Sequence, residues 1–549
     1  MKLRCLLTVA FIVSSSVVNS AEKLSTELPA GSDSGAGSSK AAVNEPEKKP
    51  GFNIYDFQID GNTILDDETL ERAVYPYLGP DKTVDDVEKA RAALEEAYRN
   101  KGFPTVVVSI PEQDVNAEQV RLAVLEGAIE TVRVTGSKFH KLDTIRESVP
   151  ALAEGKVPDM PKVQEQINTL SMQSADRNVT PIFRAGSTPG KMEVELRVKD
   201  ELPLHGSVEM NSRNSESTTY SRVLGSLRYD NLWQKFHSAS LQFQTSPENA
   251  DQVQVWSGTY VLPTGWLDTK LALYGIGISS NTQLGVNIGG MSVVGAGNIY
   301  GARLVKPLPS TDNFTQSFSG GLDYKEFGQG VNLLNASSTT TTSINYLSFM
   351  TGYDGTWRGD SKLATLGVAA HYSFQGLAND QAEFTSKRAG ATPDFVYLTS
   401  NLKYQQSLPK DIRVHLRADG QVSSGKLVSN EQFSAGGPLS VRGYHQTQLL
   451  GDNGVTLSME LHSPKLVNKE VESVQNLRVF SFVDWANIWT YQPIAPTPSS
   501  SQLASTGVGL RMLLLKHFTG EFDWSYPMNK QSTIDVGQQR VDFRVAYEF

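Results

Sequence analysis

The sequence has almost no cysteine, and the single one, Cys5, lies within the first twenty residues. Those residues have the pattern of an export signal, because Lys2 and Arg4 precede a short apolar core and small residues follow it. We therefore predict a signal peptide over residues 1–20, cleaved before Ala21. Its removal leaves a chain without a thiol, which excludes disulfides, cysteine–metal sites and cysteine nucleophiles.

The chain also lacks an excess of basic residues and any long apolar run. Its formal net charge is −9 and its isoelectric point is near 5.5. This balance argues against a nucleic-acid partner, since a phosphate-binding surface is normally basic. No stretch reaches the roughly 18 consecutive apolar residues of a transmembrane helix. A soluble exported protein and a β-barrel remain, and the mean hydropathy of −0.30 is compatible with alternating barrel strands.

Motifs for catalysis or metal binding are not found in the sequence. The eight histidines are scattered, and neither an HExxH nor a GxSxG pattern occurs. The stretch GQVSSGKL from Gly420 comes within one residue of a phosphate-binding loop. However, Leu427 occupies the Ser/Thr position, and no helical pattern follows. We therefore expect no enzymatic activity, no cofactor and no resident metal.

A change of composition separates a linker from a first folded domain. Residues 21–51 are rich in Gly, Ser, Ala, Pro and charge, which is typical of a flexible linker. From residue 52, FNIYDFQIDGNTIL alternates as a strand, and TVDDVEKARAALEEAYRNKGFP has the apolar stripe of a helix that starts with a Thr83–Asp86 capping box. Two further strands, TVVVSIPEQ and QVRLAVLEG, complete a predicted β-α-α-β-β domain over residues 52–127.

A second copy of the same pattern follows over residues 128–202. The strand IETVRVTGS ends at Gly136, as the first strand of the preceding domain ends near Gly61. Helical stretches lie around KLDTIRESVPAL and KVQEQINTL, and VTPIFRAGS with KMEVELRVKD reads as a hairpin. The sequence thus predicts two small α/β domains in tandem.

Residues 203–549 lose the helical stripes and alternate instead. The segment VTLSMELH places four apolar residues on one face and four polar residues on the other, and IRVHLRAD and RVDFRVAYEF behave alike. Such a pattern is typical of strands with one face in lipid and the other in a wet lumen. A soluble antiparallel sheet is the alternative, but the length without a helix and the aromatic end at Phe549 favour a barrel. At about 10 residues per spanning strand, we expect an antiparallel barrel of about 16 strands.

Two stretches of the barrel break this alternation and carry opposite charges. Arg442 lies in SVRGYHQTQLLGDNG, next to Gly443, which permits a tight turn. Asp484 lies among apolar residues in RVFSFVDWANIW. A lone carboxylate in such a setting is costly unless a cation pairs with it, and the planar guanidinium binds carboxylates in a two-pronged fashion. We therefore predict that Arg442 and Asp484 are partners.

Both parts of the chain resemble known modules. Residues 52–200 resemble POTRA domains, the periplasmic modules of outer-membrane assembly and secretion proteins. The stretch AGGPLSVRGYHQTQLLGDNGVTLSMEL is similar to the VRGY signature of two-partner-secretion outer-membrane transporters of the TpsB type, the haemolysin and filamentous-haemagglutinin exporter family. The signature residues are Val441, Arg442, Gly443 and Tyr444.

The resemblance implies where these residues lie. The family motif sits at the tip of a loop folded back into the barrel, here around residues 433–454, and its arginine meets the aspartate of a Phe-x-Asp-x-Gly motif on the inner wall. Phe482 and Asp484 match the first two positions of that motif, whereas Ala486 replaces its glycine. The terminal Phe549 is expected to act as the signal for barrel assembly.

The resemblance also implies a function in the outer membrane of a Gram-negative bacterium. We expect a monomeric pore that captures a large, unfolded exoprotein through periplasmic POTRA domains, by strand addition, and secretes it. Its other partners would be outer-membrane lipid and the machinery that inserts barrels. A barrel-assembly factor of similar architecture is the main alternative. A passive porin or an outer-membrane enzyme fits the sequence less well.

Overall fold

The computed structural model describes residues 51–549 apart from short gaps. These gaps are residues 115–117, 175, 217, 281–284, 289–290, 329, 332–339, 342, 468–472 and 494–497. The predicted signal peptide and, apart from Gly51, the predicted linker lie outside the described residues. The described chain divides into two compact units, of which the first ends at Pro203 and the second begins at Leu204.

The first unit begins with the predicted β-α-α-β-β pattern. Its elements are β1 (Phe52–Ile54), β2 (Asp56–Asp60), α1 (Asp67–Val74), β3 (Gly79–Lys82), α2 (Val84–Asn100), β4 (Val107–Ser109) and β5 (Gln119–Leu125). Strand β5 lies between β2, which is parallel to it, and β4, which is antiparallel. Helix α2 begins at the predicted capping box of Thr83 and Asp86 and buries Leu94 and Tyr98. The apolar stripe of α2 therefore packs into the core of this domain.

The same arrangement is repeated in the second half of this unit. Its elements are β6 (Ala128–Thr135), α3 (Leu142–Glu147), α4 (Met160–Gln173), β7 (Arg177–Ala185) and β8 (Lys191–Asp200). Strand β8 lies between the parallel β6 and the antiparallel β7. Gly61 and Gly136, with φ of +91° and +81°, occupy equivalent places, because a Cβ on either would lie 2.4 Å from the carbonyl oxygen of Val124 or Val198. The predicted duplication is present.

Besides three single-turn 3₁₀ helices, the described residues of the second unit form strands and one short α-helix. In chain order these are β9 (Leu204–Asn211), β10 (Arg222–Leu232), β11 (His237–Thr245), β12 (Val253–Pro263), β13 (Lys270–Ser280), β14 (Gly285–Ile288), β15 (Met291–Val294), β16 (Ala296–Thr311), β17 (Phe314–Gly328), β18 (Gly330–Val331), β19 (Thr340–Thr341), β20 (Ile344–Arg358), β21 (Lys362–Ser373), α5 (Gln381–Lys387), β22 (Phe395–Ser407), β23 (Arg413–Ser423), β24 (Phe433–Ala435), β25 (Leu449–Gly451), β26 (Asn453–His462), β27 (Val474–Trp489), β28 (Ser500–Leu514), β29 (Phe518–Pro527) and β30 (Arg540–Glu548).

Sixteen of these strands close into one antiparallel barrel. Each barrel strand pairs with its neighbours in sequence, and β30 closes the ring against β9. The pairs β14–β15, β18–β19 and β24–β25 form separate two-stranded sheets. None of the helices among the described residues combines the length and apolar character that a bilayer crossing requires. The predicted fold class, two β-α-α-β-β modules followed by a 16-stranded barrel, is confirmed.

The two faces of the barrel wall have the predicted character. On β26, Leu457 and Met459 are 46% and 51% exposed and point outward, whereas Thr456 and His462 point inward and are buried. On β30, Val541 is likewise exposed while Asp542 is buried. Apolar side chains outside and polar ones inside are the arrangement of a membrane barrel with a polar interior.

Two left-handed glycines of the second α/β domain provide a test of its backbone packing. Gly136 and Gly155 share a φ of +81°, but a Cβ at Gly155 meets nothing within 4 Å. We expect Gly155→Ala to cost about 1 kcal/mol for the left-handed conformation alone. Gly136→Ala should cost roughly 1 to 3 kcal/mol more, because the Val198 carbonyl must also move. The difference in the free energy of unfolding is measured by urea unfolding of the full-length protein, with proteolysis of this unit as the probe of its unfolded fraction. Equal effects would contradict the assigned backbone contact.

Candidate functional site

The segment between β23 and β26 folds into the barrel. We call residues 424–452 the inner loop, with residues 436–448 as its tip. The strands β24 and β25 pair antiparallel and lead into and out of the tip. Val441, Arg442 and Tyr444 are at most 2% exposed. The tip is therefore enclosed by the barrel, as the family resemblance implies.

Arg442 binds the wall through its predicted partner. Its Nε donates to Asp484 Oδ2 at 2.7 Å, and its Nη2 donates to Asp484 Oδ1 at 2.8 Å. The main-chain N–H of Arg442 donates to the same Oδ2 at 3.1 Å. Asp484 is completely buried on β27. A two-pronged, charge-assisted pair of this kind fixes both the position and the orientation of the guanidinium.

Residues of neighbouring strands complete the polar surroundings. Ser458 on β26 donates to Asp484 Oδ1 at 2.6 Å, which places hydroxyl and carboxylate side by side in the strand register. Arg442 Nη1 donates to Glu460 Oε1 at 2.6 Å and lies 3.9 Å from Asp523 Oδ2. The guanidinium thus faces three carboxylates from β26, β27 and β29, which compensate the loss of its water.

The rings of two phenylalanines of β27 lie against the guanidinium of Arg442. The Cζ atom of Arg442 lies 3.6 Å from the ring centre of Phe482 and 5.7 Å from that of Phe480, so cation–π attraction adds to the ion pair. The rings have room because β28 carries glycine opposite them. A Cβ on Gly507 would lie 2.5 Å from the Phe482 ring, and one on Gly509 would lie 2.3 Å from the Phe480 ring.

The other residues of the VRGY motif anchor the tip through apolar contact and a phenol. Val441 and Tyr444 belong to a buried cluster with Ala486 and Leu503. The Tyr444 hydroxyl lies 2.9 Å from the Ala504 carbonyl oxygen, toward which it can donate, and it accepts from the Asn529 N–H at 3.0 Å. Ala486 is completely buried, and its methyl group is part of this cluster. The residue that departs from the family glycine therefore contributes to packing.

Gly443 has the conformation that the turn requires. Its φ of +88° lies in the left-handed region, and a Cβ there would stand 3.2 Å from Ser525 Oγ and 3.4 Å from Ser525 Cβ. A side chain at this position would meet both backbone strain and β29.

Sequence reasoning found the pair but missed the rest of the charge cluster. Glu460 and Asp523 appear in the sequence only as polar residues of alternating strands. Arg511 Nη1 donates to Asp523 Oδ1 at 2.7 Å, and the Arg511 Cζ atom lies 4.3 Å from the Phe480 ring centre. The inward alternation signals that such residues face the lumen, but their meeting depends on strand order and register.

A group that could hold a metal ion adjoins the site. The ligand atoms of His415, Glu460 and His462 lie within 4.8 Å of one another. Sequence spacing could not reveal it, because His415 belongs to β23 and the other two to β26. Glu460 Oε2 lies 2.8 Å from His462 Nε2, while Oε1 accepts from Arg442. The carboxylate thus bonds both the imidazole and the guanidinium.

Phe549 lies at the closure of the barrel. Gly206 N–H donates to the Phe549 main-chain oxygen, and Phe549 N–H donates to the Gly206 oxygen, both at 3.0 Å. A Cβ on Gly206 would lie 2.2 Å from the Phe549 ring, so glycine is required where the ring lies. The terminal aromatic residue therefore extends the β9–β30 pairing.

Known proteins share this architecture. Residues 52–127 match the POTRA domain of the ShlB type. The outer membrane transporter CdiB of Dickeya dadantii (strain 3937) is 23% identical over 513 residues, which cover 91% of this chain and 87% of that protein. The heme/hemopexin transporter protein HuxB of Haemophilus influenzae (strain 86-028NP) is 22% identical over 418 residues, covering 72% of this chain and 69% of HuxB.

Solved structures agree on the fold. CdiB from Escherichia coli superposes with a TM-score of 0.64 at 20% identity and covers 93% of both chains. BamA from Haemophilus ducreyi lacking POTRA domains 1–3 gives a TM-score of 0.55 at 13% identity, covering 91% of this chain and all of that chain. Residues 190–512, more than half of the chain, match the family model described as haemolysin secretion/activation protein ShlB/FhaC/HecB. This chain belongs to that family of outer-membrane secretion proteins.

Proposed function

We propose that this outer-membrane protein secretes one large partner exoprotein through its barrel, and that the Arg442–Asp484 pair holds the inner loop in the position that secretion requires. Residues 52–127 and 128–202 serve as periplasmic POTRA domains, and residues 203–549 as the pore. Phe549 serves as the signal for barrel assembly, and the barrel acts as a monomer.

The enclosed guanidinium is the observation that carries this proposal. A loop that merely connected two strands would not need to place a charged side chain, 2% exposed, against three acidic residues of the wall. Burying such a charge gains little stability over an apolar contact. The two-pronged hydrogen bonds to Asp484, however, require one position and one orientation of the guanidinium. We infer that the position of the tip, more than the stability of the barrel, is what Arg442 provides.

The tip also touches parts of the lumen beyond the ion pair. The Gln446 N–H donates to the Asn214 carbonyl oxygen at 2.9 Å, and Gln448 Nε2 donates to Glu216 at 3.2 Å. Both acceptors lie between β9 and β10. The inner loop therefore reaches from β23 to the segment between β9 and β10. We infer that it lies in the path of the exported chain. Its placement would govern passage.

Capture of the partner is assigned to the first POTRA domain. Strand β4 is at one edge of its sheet, and Val107 on it is 52% exposed. The Val108 N–H donates to Glu95 at 3.0 Å, and its carbonyl oxygen accepts from Arg91 at 3.3 Å. Main-chain groups of an extended partner can replace these side chains, because strand addition uses the same donors and acceptors.

Removal of the tip charge is the direct test of the loop's role. Arg442→Ala should lower secretion of the partner at least tenfold, because Asp484 is left buried without its cation, at a cost of about 3–5 kcal/mol. Secretion is measured as partner in the medium, and barrel insertion as the shift in gel mobility between heated and unheated samples.

A matched control separates loop placement from general loss of a lumen charge. Arg228 Nε pairs with Asp230 Oδ2 at 3.0 Å, and both residues belong to one wall strand, β10. Arg228→Ala should leave secretion close to normal. Wild-type secretion by Arg442→Ala would show that the Arg442–Asp484 contact is dispensable.

Partner capture predicts a contact at β4. A photo-crosslinking residue in place of Val107 should trap the partner during export, since this edge strand is exposed. The control position is Leu142 at the start of α3, which is 48% exposed and belongs to the second α/β domain. Equal trapping at both positions, or none at Val107, would contradict capture at this edge.

Secretion and barrel assembly differ in what a deletion removes. Without this protein, the partner should accumulate inside the cell while the amounts of other outer-membrane barrels stay unchanged. Immunoblots of the medium and of isolated outer membranes measure both. A partner that still reaches the medium while other barrels disappear would favour the assembly function instead.

A further inference from the structure

The inner loop carries a second buried charge, Glu431, that the role of Arg442 does not use. Glu431 is 3% exposed. Its Oε1 accepts from Lys325 Nζ at 2.6 Å and from the Tyr346 hydroxyl, and its Oε2 accepts from the Tyr397 hydroxyl at 2.6 Å. Both carboxylate oxygens are thus bonded, and a lysine that is itself 7% exposed balances the charge.

The donors to Glu431 belong to a different part of the wall from the acceptors of Arg442. Lys325, Tyr346 and Tyr397 project from β17, β20 and β22. Arg442 is held by β26, β27 and β29, which lie farther along the ring of strands. The inner loop is therefore attached to two separate arcs of the barrel.

The remaining contacts of Glu431's neighbourhood fix both ends of the loop. Gln421 Nε2 donates to the carbonyl oxygens of Glu431 and Asp452, at 3.0 and 3.2 Å. The buried Asp452 accepts from Arg388 at 2.5 and 2.8 Å and from the Leu427 N–H at 2.9 Å. The side chain of Gln421 thus joins the segment that enters the inner loop to the segment that leaves it. We call these two segments, residues 424–435 and 449–452, the base of the inner loop.

The tip joins this base through residues with unusual backbone angles. Gly436 and Gly437 have φ of +112° and +96°, and Thr447 has φ of +57°. The two glycines follow β24 directly, and Thr447 lies shortly before β25, so these residues mark the two ends of the tip. The direction in which the tip leaves the base is therefore set locally, and the place of the base determines where the tip arrives.

We propose that Glu431 is a positioning residue for secretion: with Lys325, Tyr346 and Tyr397 it fixes the base of the inner loop, so that the tip brings Arg442 to Asp484. This inference rests on the proposed role of the inner loop. Without the anchor, the base is free to shift along the wall, and the guanidinium meets its acceptors in a smaller fraction of molecules.

A disulfide between tip and wall measures the position of the tip directly. A Cβ at Gly443 lies 3.4 Å from Ser525 Cβ, close to the separation that a disulfide needs. In the full-length protein carrying Gly443→Cys and Ser525→Cys, the left-handed backbone strains the first cysteine, so the disulfide yield after mild oxidation is the reference against which further variants of this double-cysteine protein are compared. Adding Glu431→Gln should lower its yield at least fivefold, and secretion by Glu431→Gln in the otherwise normal chain should fall similarly.

Two further variants complete the experiment. Tyr397→Phe removes one hydrogen-bond donor to Glu431 but keeps the charges of Glu431 and Lys325. It should therefore disturb folding less than Glu431→Gln and reduce the crosslink yield by a smaller factor. Arg228→Ala, which breaks the pair of Arg228 Nε with Asp230 Oδ2 within β10, should leave the yield unchanged. An unaltered yield in both Glu431→Gln and Tyr397→Phe would overturn the proposal. Since the crosslink does not depend on export, normal secretion by Arg442→Ala would refute the proposed function and leave this readout valid.

Discussion

A guanidinium enclosed within a barrel has to regain from protein atoms what it gave up in water, and the position of the inner loop depends on this requirement. Arg442 meets it with Asp484, Glu460 and the ring of Phe482. These groups come together only because Glu460 and Phe482 are opposite one another in the β26–β27 register. A slip of one residue would turn every inward side chain of a strand toward lipid, so the ion pair and the strand register depend on each other.

The contrast between what the sequence predicts and what it leaves open follows the same physics. Alternation within one strand is local, and VTLSMELH therefore reveals which of its residues face the lumen. A buried carboxylate such as Asp484 is also recognisable, because a charge among apolar residues needs a cation. Lys325 and Glu431 lie far apart in sequence on a strand and a loop, and the meeting of His415 with His462 depends on β23 pairing with β26. These contacts follow from the closure of the barrel and the register of its strands, which cannot be read from a local sequence pattern.

The exchange of alanine for glycine at position 486 shows how the wall is fitted to the tip. The methyl group of Ala486 lies in the cluster that receives Val441 and Tyr444, so it adds apolar contact where the motif residues are already enclosed. Space is provided instead on the next strand, where Gly507 and Gly509 leave room for the two aromatic rings. Small residues are thus needed beneath the rings that carry the guanidinium, and position 486, two residues after Asp484, tolerates a side chain because it faces the apolar part of the tip.

Charged contacts suit a loop that occupies a pore better than apolar ones would. An apolar tip would gain free energy in proportion to the area that it buries, and releasing it into a wet lumen would cost the same amount again. In a buried ion pair, the cost of desolvating both charges offsets most of their attraction, so the free-energy difference from the hydrated state is small. Its hydrogen bonds nevertheless require one geometry. With Arg442 at the tip and Glu431 at the base, the inner loop has one well-defined position on the wall. The free energy of this bound state differs only modestly from that of a state in which the two charges are hydrated. Water entering with a polar chain can therefore compete for these charges, which an aromatic or aliphatic seal would resist.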